Sequence, residues 1–211
     1  MVDTARGIAL SPGGSVFIAG RTDGGITTVN AAQGAAGGGQ DAFVARLNPS
    51  GNNYSIAYST YLGGASTDLA NGIAIDASEN AYVVGQSASA GLGTPGAAQQ
   101  NKGSVTDAFV AKFNQSGAKT YFTYIGGNGG SGQAALDAAT SVAVDASGAA
   151  YVAGYTRSSV FPTTNSLKTF NATTCGTLPC FDPFVTKINP AGSARIFSTL
   201  LGGNADDQAL A

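Results

Sequence analysis

No histidine occurs among the 211 residues, and there is no tryptophan, one glutamate (Glu79), and a charged fraction of only 10%. Each shortage excludes a class of function. Without histidine the hydrolytic triads lose their usual general base and zinc sites lose a common ligand. Paired-carboxylate glycosidase chemistry would rest on eleven aspartates and Glu79. Glu79 falls in a turn expected to be exposed. Phosphate loops and dinucleotide fingerprints are absent, because the glycine runs do not sit between a strand and a helix. A net charge of −2, with Lys and Arg spread singly, argues against a nucleic-acid partner. Glu, Lys and Leu, the usual surface residues of long helices, are sparse. No apolar run is long enough to span a bilayer. The opening MVDTARG lacks the apolar stretch of a signal peptide; for a secreted protein, the export signal is expected either to have been removed or to lie outside this sequence. The reading is of a non-enzyme that needs no cofactor.

What the chain has is a pattern written three times. Residues 3–64, 68–127 and 137–203 each carry two pairs of apolar runs joined by short turns. The first pair reads RGIALSPGGSVFIAG, NGIAIDASENAYVVG and TSVAVDASGAAYVAG. The second reads DAFVARLNPSG…YSTYLGG, DAFVAKFNQSG…YFTYIGG and DPFVTKINPAG…FSTLLGG. After the last double glycine, NADDQALA repeats the phase of ASTDLA before the second unit. A period of this size marks a stacked or radial repeat. It gives one repeat domain over residues 1–211, with units at about 3–67, 68–136 and 137–206.

Each unit divides into four strands. Inner candidates are Gly7–Leu10, Gly72–Ile75 and Ser141–Val144, followed by Val16–Gly20, Ala81–Gly85 and Ala150–Gly154. Outer candidates are Ala42–Leu47, Ala108–Phe113 and Pro183–Ile188, then Ala57–Leu62, Thr120–Ile125 and Ile196–Leu201. The turns SPGGS, DASEN, DASGA, NPSG, NQSG and NPAG are built from residues that close hairpins. Asp76 and Asp145 are explained by that work, since a calcium loop needs more carboxylates. The strands are apolar on both faces, so sheet must pack on sheet. Four-stranded units covered by their own copies are propeller blades. The fold class is therefore all-β: a propeller of four-stranded antiparallel blades, three in this chain, with a β-trefoil as the alternative. The strings DAFVAKFNQSG, YFTYIGG and SVAVDASGAAYVAGYTRSSVFPT resemble the bacterial β-propeller repeat known as SBBP. The resemblance implies a propeller fold in a secreted or surface-anchored bacterial protein, and it implies no reaction.

Propeller geometry sends the first-to-second and third-to-fourth strand turns to one side of the ring. The other side receives every long segment: Thr22–Gln40, Ser87–Thr106, Thr156–Phe181 and Asn128–Leu136. A lengthened loop face on a rigid scaffold is where binding resides, although tolerated insertions look the same. Ligand candidates there are Tyr155 and Phe161, with Phe170 and Phe181 as the other loop aromatics. Acids recur before each unit, at Asp3, Asp68, Asp137 and Asp206 or Asp207. They read either as a carboxylate ring holding a cation at the channel mouth or as caps on backbone N–H groups. A second set, Asp41, Asp107 and Asp182, opens the third strand of each unit. Cys175 and Cys180 in CGTLPC read as a local disulfide or as two free thiols, in neither case as a metal or redox pair.

Three blades do not close a ring. Residues such as Ile8, Phe17 and Phe43 at one end and Val142, Val152 and Phe184 at the other are expected on open faces. Either the chain is part of something longer, or copies join head-to-tail into a six-bladed dimer or a fibre. The functional expectation is a structural, self-assembling surface module. A glycan- or surface-protein-binding module using the long loops is the alternative, and an accessory domain of a larger secreted enzyme is a third.

Overall fold

The computed structural model describes residues 2–127, 136–168 and 174–210, and among them there is no helix. Asn128–Leu136, except its last residue, and Phe170 lie outside the described residues. The first sheet contains β1 (Thr4–Leu10), β2 (Val16–Thr22), β3 (Asp41–Ser50) and β4 (Asn53–Leu62). The second contains β5 (Asp68–Ile75), β6 (Ala81–Ser87), β7 (Asp107–Phe113) and β8 (Lys119–Ile125). The third contains β9 (Asp137–Val144) and β10 (Ala150–Thr156), then β13 (Asp182–Ile188) and β14 (Arg195–Leu200). Between these, β11 (Thr174–Cys175) and β12 (Leu178–Pro179) form a small separate hairpin. Each large sheet is an antiparallel meander in sequence order. Its first strand packs against its counterpart in the next sheet: β1 on β5 and β5 on β9. These are three propeller blades fanned about their inner strands. The large sheets share no ladder, so the trefoil alternative is not the fold.

Every inner strand begins earlier than the apolar run suggests, because the acidic residue and its neighbours already pair with the end of the second strand. Asp68 pairs with Ser87, and Asp137 with Thr156. A bulge follows at the same place in each blade, leaving Arg6, Asn71 and Thr140 as the extra residues. The bend is tight. A Cβ on Gly20, Gly85 or Gly154 would sit within about 2 Å of the carbonyl oxygen of Thr4, Leu69 or Ala138, which only glycine allows.

Two hydrophobic cores hold the blades together. Phe17, Val44, Tyr58 and Leu62 of the first blade meet Ile73, Val83, Phe109, Phe113, Phe122 and Tyr124 of the second. Within that core Phe109 stacks on Phe122 at 4.8 Å and Tyr124 meets Phe122 edge-on at 5.0 Å. The other face of the second blade, with Tyr82, Val84, Val110, Tyr121 and Ile125, meets Val152, Phe161, Phe184, Ile188 and Leu200 of the third. Both faces of the middle blade are thus buried, as its continuous apolar strands require.

The outer blades differ from expectation in which face is covered. Phe17, Val152 and Phe184 are fully buried inside the chain and Val142 packs against the second core, so these four are not on open faces. Side chains alternate along a strand, so the open faces carry the opposite register. On the first blade this is Ile8, Ile18, Ala45 and Phe43; on the third it is Tyr151, Ala153, Val185, Lys187 and Phe197. Ile8 and Leu10 are 73% and 67% exposed.

Candidate functional site

The recurrent acids sit where one blade crosses to the next. Asp68 and Asp137 are fully buried. Asp68 accepts from Ser87 and Ser89 hydroxyls and from the Gly64 amide. Asp137 accepts from Thr156, from Ser158 at 2.8 Å and from the Gly127 amide at 3.1 Å. Asp3 accepts from the Thr22 hydroxyl at 2.6 Å. Of the pair Asp206 and Asp207, the latter is the equivalent, since it accepts from the Gly203 amide at 2.5 Å. The Asp68 and Asp137 carboxylates point into the protein and are filled by O–H and N–H donors. Burial foremost, and then the nearby charge of Asp107, pushes the Asp137 carboxyl up to about 7.

The third-strand acids stand beside them. Asp41 accepts from the Gly37 amide at 2.6 Å, and Asp107 from the Gly103 and Ser104 amides at 2.8 and 3.0 Å. Burial, with Asp68 adding to it, raises the Asp41 carboxyl. The turn acids behave as the sequence suggests. Asp76 Oδ1 accepts from the amides of Ser78 and Asn80, and Asp145 Oδ1 from those of Ser147 and Ala149.

The wall between the inner strands is lined instead by the three bulge residues. Arg6 donates to Asn71 Oδ1 at 2.7 Å, Asn71 donates to the Ala139 carbonyl at 2.8 Å, and Thr140 donates to the Ala209 carbonyl at 2.8 Å. Sequence reading missed these three. Their common place, three residues after the recurrent aspartates Asp3, Asp68 and Asp137, was the available signal.

On the loop face the aromatic candidates are not brought together. Phe161 is buried against Phe184, with ring centroids 4.7 Å apart. It helps to wall a groove of about 500 Å³ between the second and third blades, together with Gln99, Lys102, Pro162 and Arg195. Arg195 donates to Gln99 through Nη2, and Lys102 donates to the carbonyls of Ser104 and Val105, while Arg195 Nε is buried with no hydrogen-bond partner among the described residues. Tyr155 lies elsewhere, edge-on to Phe181 at 4.8 Å, while the Arg157 guanidinium covers Phe181 at 3.6 Å. Cys175 and Cys180 are joined in a disulfide. Asp206 lies within 4.8 Å of both sulfurs, but a disulfide offers no thiolate to a metal.

Glu79 is not a free turn residue. It forms an ion pair with Arg46 of the preceding blade, whose side chain is only 11% exposed. It does so from a left-handed backbone, φ 56°, at a position where the other blades have Gly14 and Gly148.

Residues 57–93 and 120–162 each match the family model described as a beta-propeller repeat, SBBP. Both matches run from the outermost strand of one blade, through the crossing aspartate, into the two inner strands of the next. Together they cover less than half of the chain. No curated protein matches it.

Proposed function

From a chain that carries SBBP beta-propeller repeats, we propose a non-catalytic structural module that assembles end to end on the bacterial cell surface or outside the cell. The observation that carries this is the asymmetry of the blades. The middle blade is covered on both faces, while the first and third each present one apolar face with no cover among the described residues. Burying a large apolar side chain is worth roughly 1.5–3 kcal/mol, so a handful suffices to drive association. The contact is head-to-tail, closing a six-bladed ring from two copies or running on as a fibre. The disulfide supports an oxidising compartment. No described helix is long and apolar enough to cross a membrane. Neither catalysis nor a cofactor is part of this reading, since the buried Asp68 and Asp137 carboxylates are filled by O–H and N–H donors.

A second reading, capture of a glycan or a surface protein on the loop face, draws on the groove beside Phe161 and Arg195, where Arg195 Nε is buried with no hydrogen-bond partner among the described residues. Light scattering on the intact chain across a micromolar dilution series tests the first reading. The mass of two copies or of a longer series is expected; a monomer throughout overturns it.

A further inference from the structure

Resting on the end-to-end reading, the inference concerns which blade can follow which. The two junctions inside the chain use different polar pairings at the same place. At the first junction, Phe17 carries the Arg46 guanidinium over its ring at 5.2 Å, and Arg46 reaches across to Glu79 in the first turn of the next blade. The corresponding turn of the first blade begins with Ser11, which leaves Arg46 without an acid in its own blade. At the second junction the equivalent residues are Asp76, Tyr82 and Lys112. Lys112 stays within its blade, 3.8 Å from Asp76 and over the Tyr82 ring. The Tyr82 hydroxyl reaches across instead, its one proton lying between two acceptors at 3.0 Å, Asp76 Oδ2 in its own blade and the Gly148 carbonyl of the next. Burial, and then Asp76, pushes that phenol far up, so it remains a donor. A Cβ on Gly148 would come within 3.1 Å of the Tyr82 oxygen, at a φ of 82° that favours glycine, so a tyrosine face is best matched by glycine opposite. Where the phenylalanine has no hydroxyl, Glu79 fits.

The open face of the third blade is of the tyrosine kind, already assembled. Lys187 lies 3.0 Å from Asp145, donates to the Tyr151 hydroxyl at 2.6 Å and sits over its ring. The open first blade carries Gly14, with φ 85° against 82° at Gly148 and the same turn hydrogen bonds. A marker of the register is also in place. The segment after the last double glycine occupies the start of an inner strand beside the third blade. The Asp207 amide donates to Phe181 O at 2.9 Å as Asp137 donates to Thr106 O at 2.9 Å. Thr140 holds the Ala209 carbonyl as Asn71 holds that of Ala139, both at 2.8 Å.

We propose that the third blade is a seat for the first blade of a second copy, docked so that the Tyr151 hydroxyl donates to the Gly14 carbonyl in the register of the Tyr82–Gly148 junction. The second copy's Asp3–Arg6 stretch then replaces Asp207–Leu210, which must lift away.

The test exchanges the pairing on each side separately and then together. Gly14→Glu and the triple change Asp145→Ser, Tyr151→Phe, Lys187→Arg are each expected to weaken association at least tenfold in a light-scattering dilution series, with the melting transition of the monomer retained. The two sets combined recreate the Phe–Arg–Glu pairing and are expected to restore association to within a few-fold of the parent. Ending the chain at Gly203 is expected to tighten it. If the parent assembles and both single-side variants assemble equally well, or the combination fails to recover, the register is wrong while end-to-end assembly stands. Looser association of the shortened chain likewise overturns the register. A parent that stays monomeric refutes the end-to-end reading itself.

Discussion

Phe43, Phe109 and Phe184 occupy one position in three blades, and replacing the first two by alanine separates an open blade face from a covered one. Phe109 is fully buried, stacked on Phe122 at 4.8 Å and enclosed by the core between the first two blades. Removing its ring leaves a cavity in a place held by two sheets, where Phe→Ala costs about 3–5 kcal/mol. The lost aromatic pair is a further 0.5–1.5 kcal/mol or so within that range of effects. For a chain of this size each kcal/mol shifts the melting point by roughly 2–4 °C, so a drop of roughly 6–20 °C is expected. Phe43 has the same neighbours within its own sheet, Gly20 and Tyr61, but faces outward and is only partly buried. Its truncation should cost the monomer about 1 kcal/mol, since a surface change away from a packed interface rarely costs more. The loss should appear instead as weaker self-association. Thermal melts followed by circular dichroism at a concentration where the chain is monomeric give the comparison. Equal losses for the two variants would refute the assignment of covered and open faces.

Three further outcomes are expected. Glu79→Ala should destabilise by about 1–3 kcal/mol, because the partly buried Arg46 loses its charged acceptor. Glu79→Gly should recover on the order of 1 kcal/mol of that by relieving the left-handed backbone, and urea melts of the two variants measure the difference. Thiol titration of the unreduced, denatured chain should find no free thiol, and reducing Cys175–Cys180 should cost about 2 kcal/mol at most, given the short loop it closes. Stability should also depend on pH in a way that two acids set in opposite senses. The Asp137 carboxyl is raised to about 7 by burial and then by Asp107, so folding favours its neutral form and stability is lost as pH rises from about 4 through about 7. Asp145 is lowered, chiefly by the Ser147 hydroxyl and by Lys187, so its contribution is present above its ordinary value of 3.8 and is lost as pH falls below it. The melting temperature is therefore expected to peak on the acidic side of neutral, and Asp137→Asn should flatten the descending limb.

Much of the fold was legible because the repeat states it three times. Strands such as Ala81–Gly85 were placed by their apolar runs, the observed strand running two residues further to Ser87, and hairpins by DASEN and DASGA, whose Asp side chains hold two amides each. The strand starts were misjudged by a few residues because Asp68 and Asp137 are charged residues inside a ladder. The buried hydroxyls of Ser87, Ser89, Thr156 and Ser158, with the Gly64 and Gly127 amides, make that position tolerable. That pattern is written in the sequence as a Ser or Thr pair at the end of the second strand in the second and third blades, with Thr22 alone in the first, but it has meaning only once the blade crossing is known.

Which face of each outer blade is covered was not legible, and the reason is physical. An alternating strand declares its inward face, whereas a strand that is apolar on both sides, such as VFIA in the first blade, does not. The direction in which the blades fan decides it, and that direction places Phe17 inward and Ile18 outward. The polar residues at the rim carry the missing information. Phe17 with Arg46 faces Glu79, Tyr82 with Lys112 faces Gly148, and Tyr151 with Lys187 faces nothing among the described residues. Each of the two junctions inside the chain is thus marked by one strand residue and one turn residue, Phe17 with Glu79 and Tyr82 with Gly148. Covariation between those two positions, rather than the hydrophobic pattern that all blades share, is what can fix the order of blades around a ring of near-identical units.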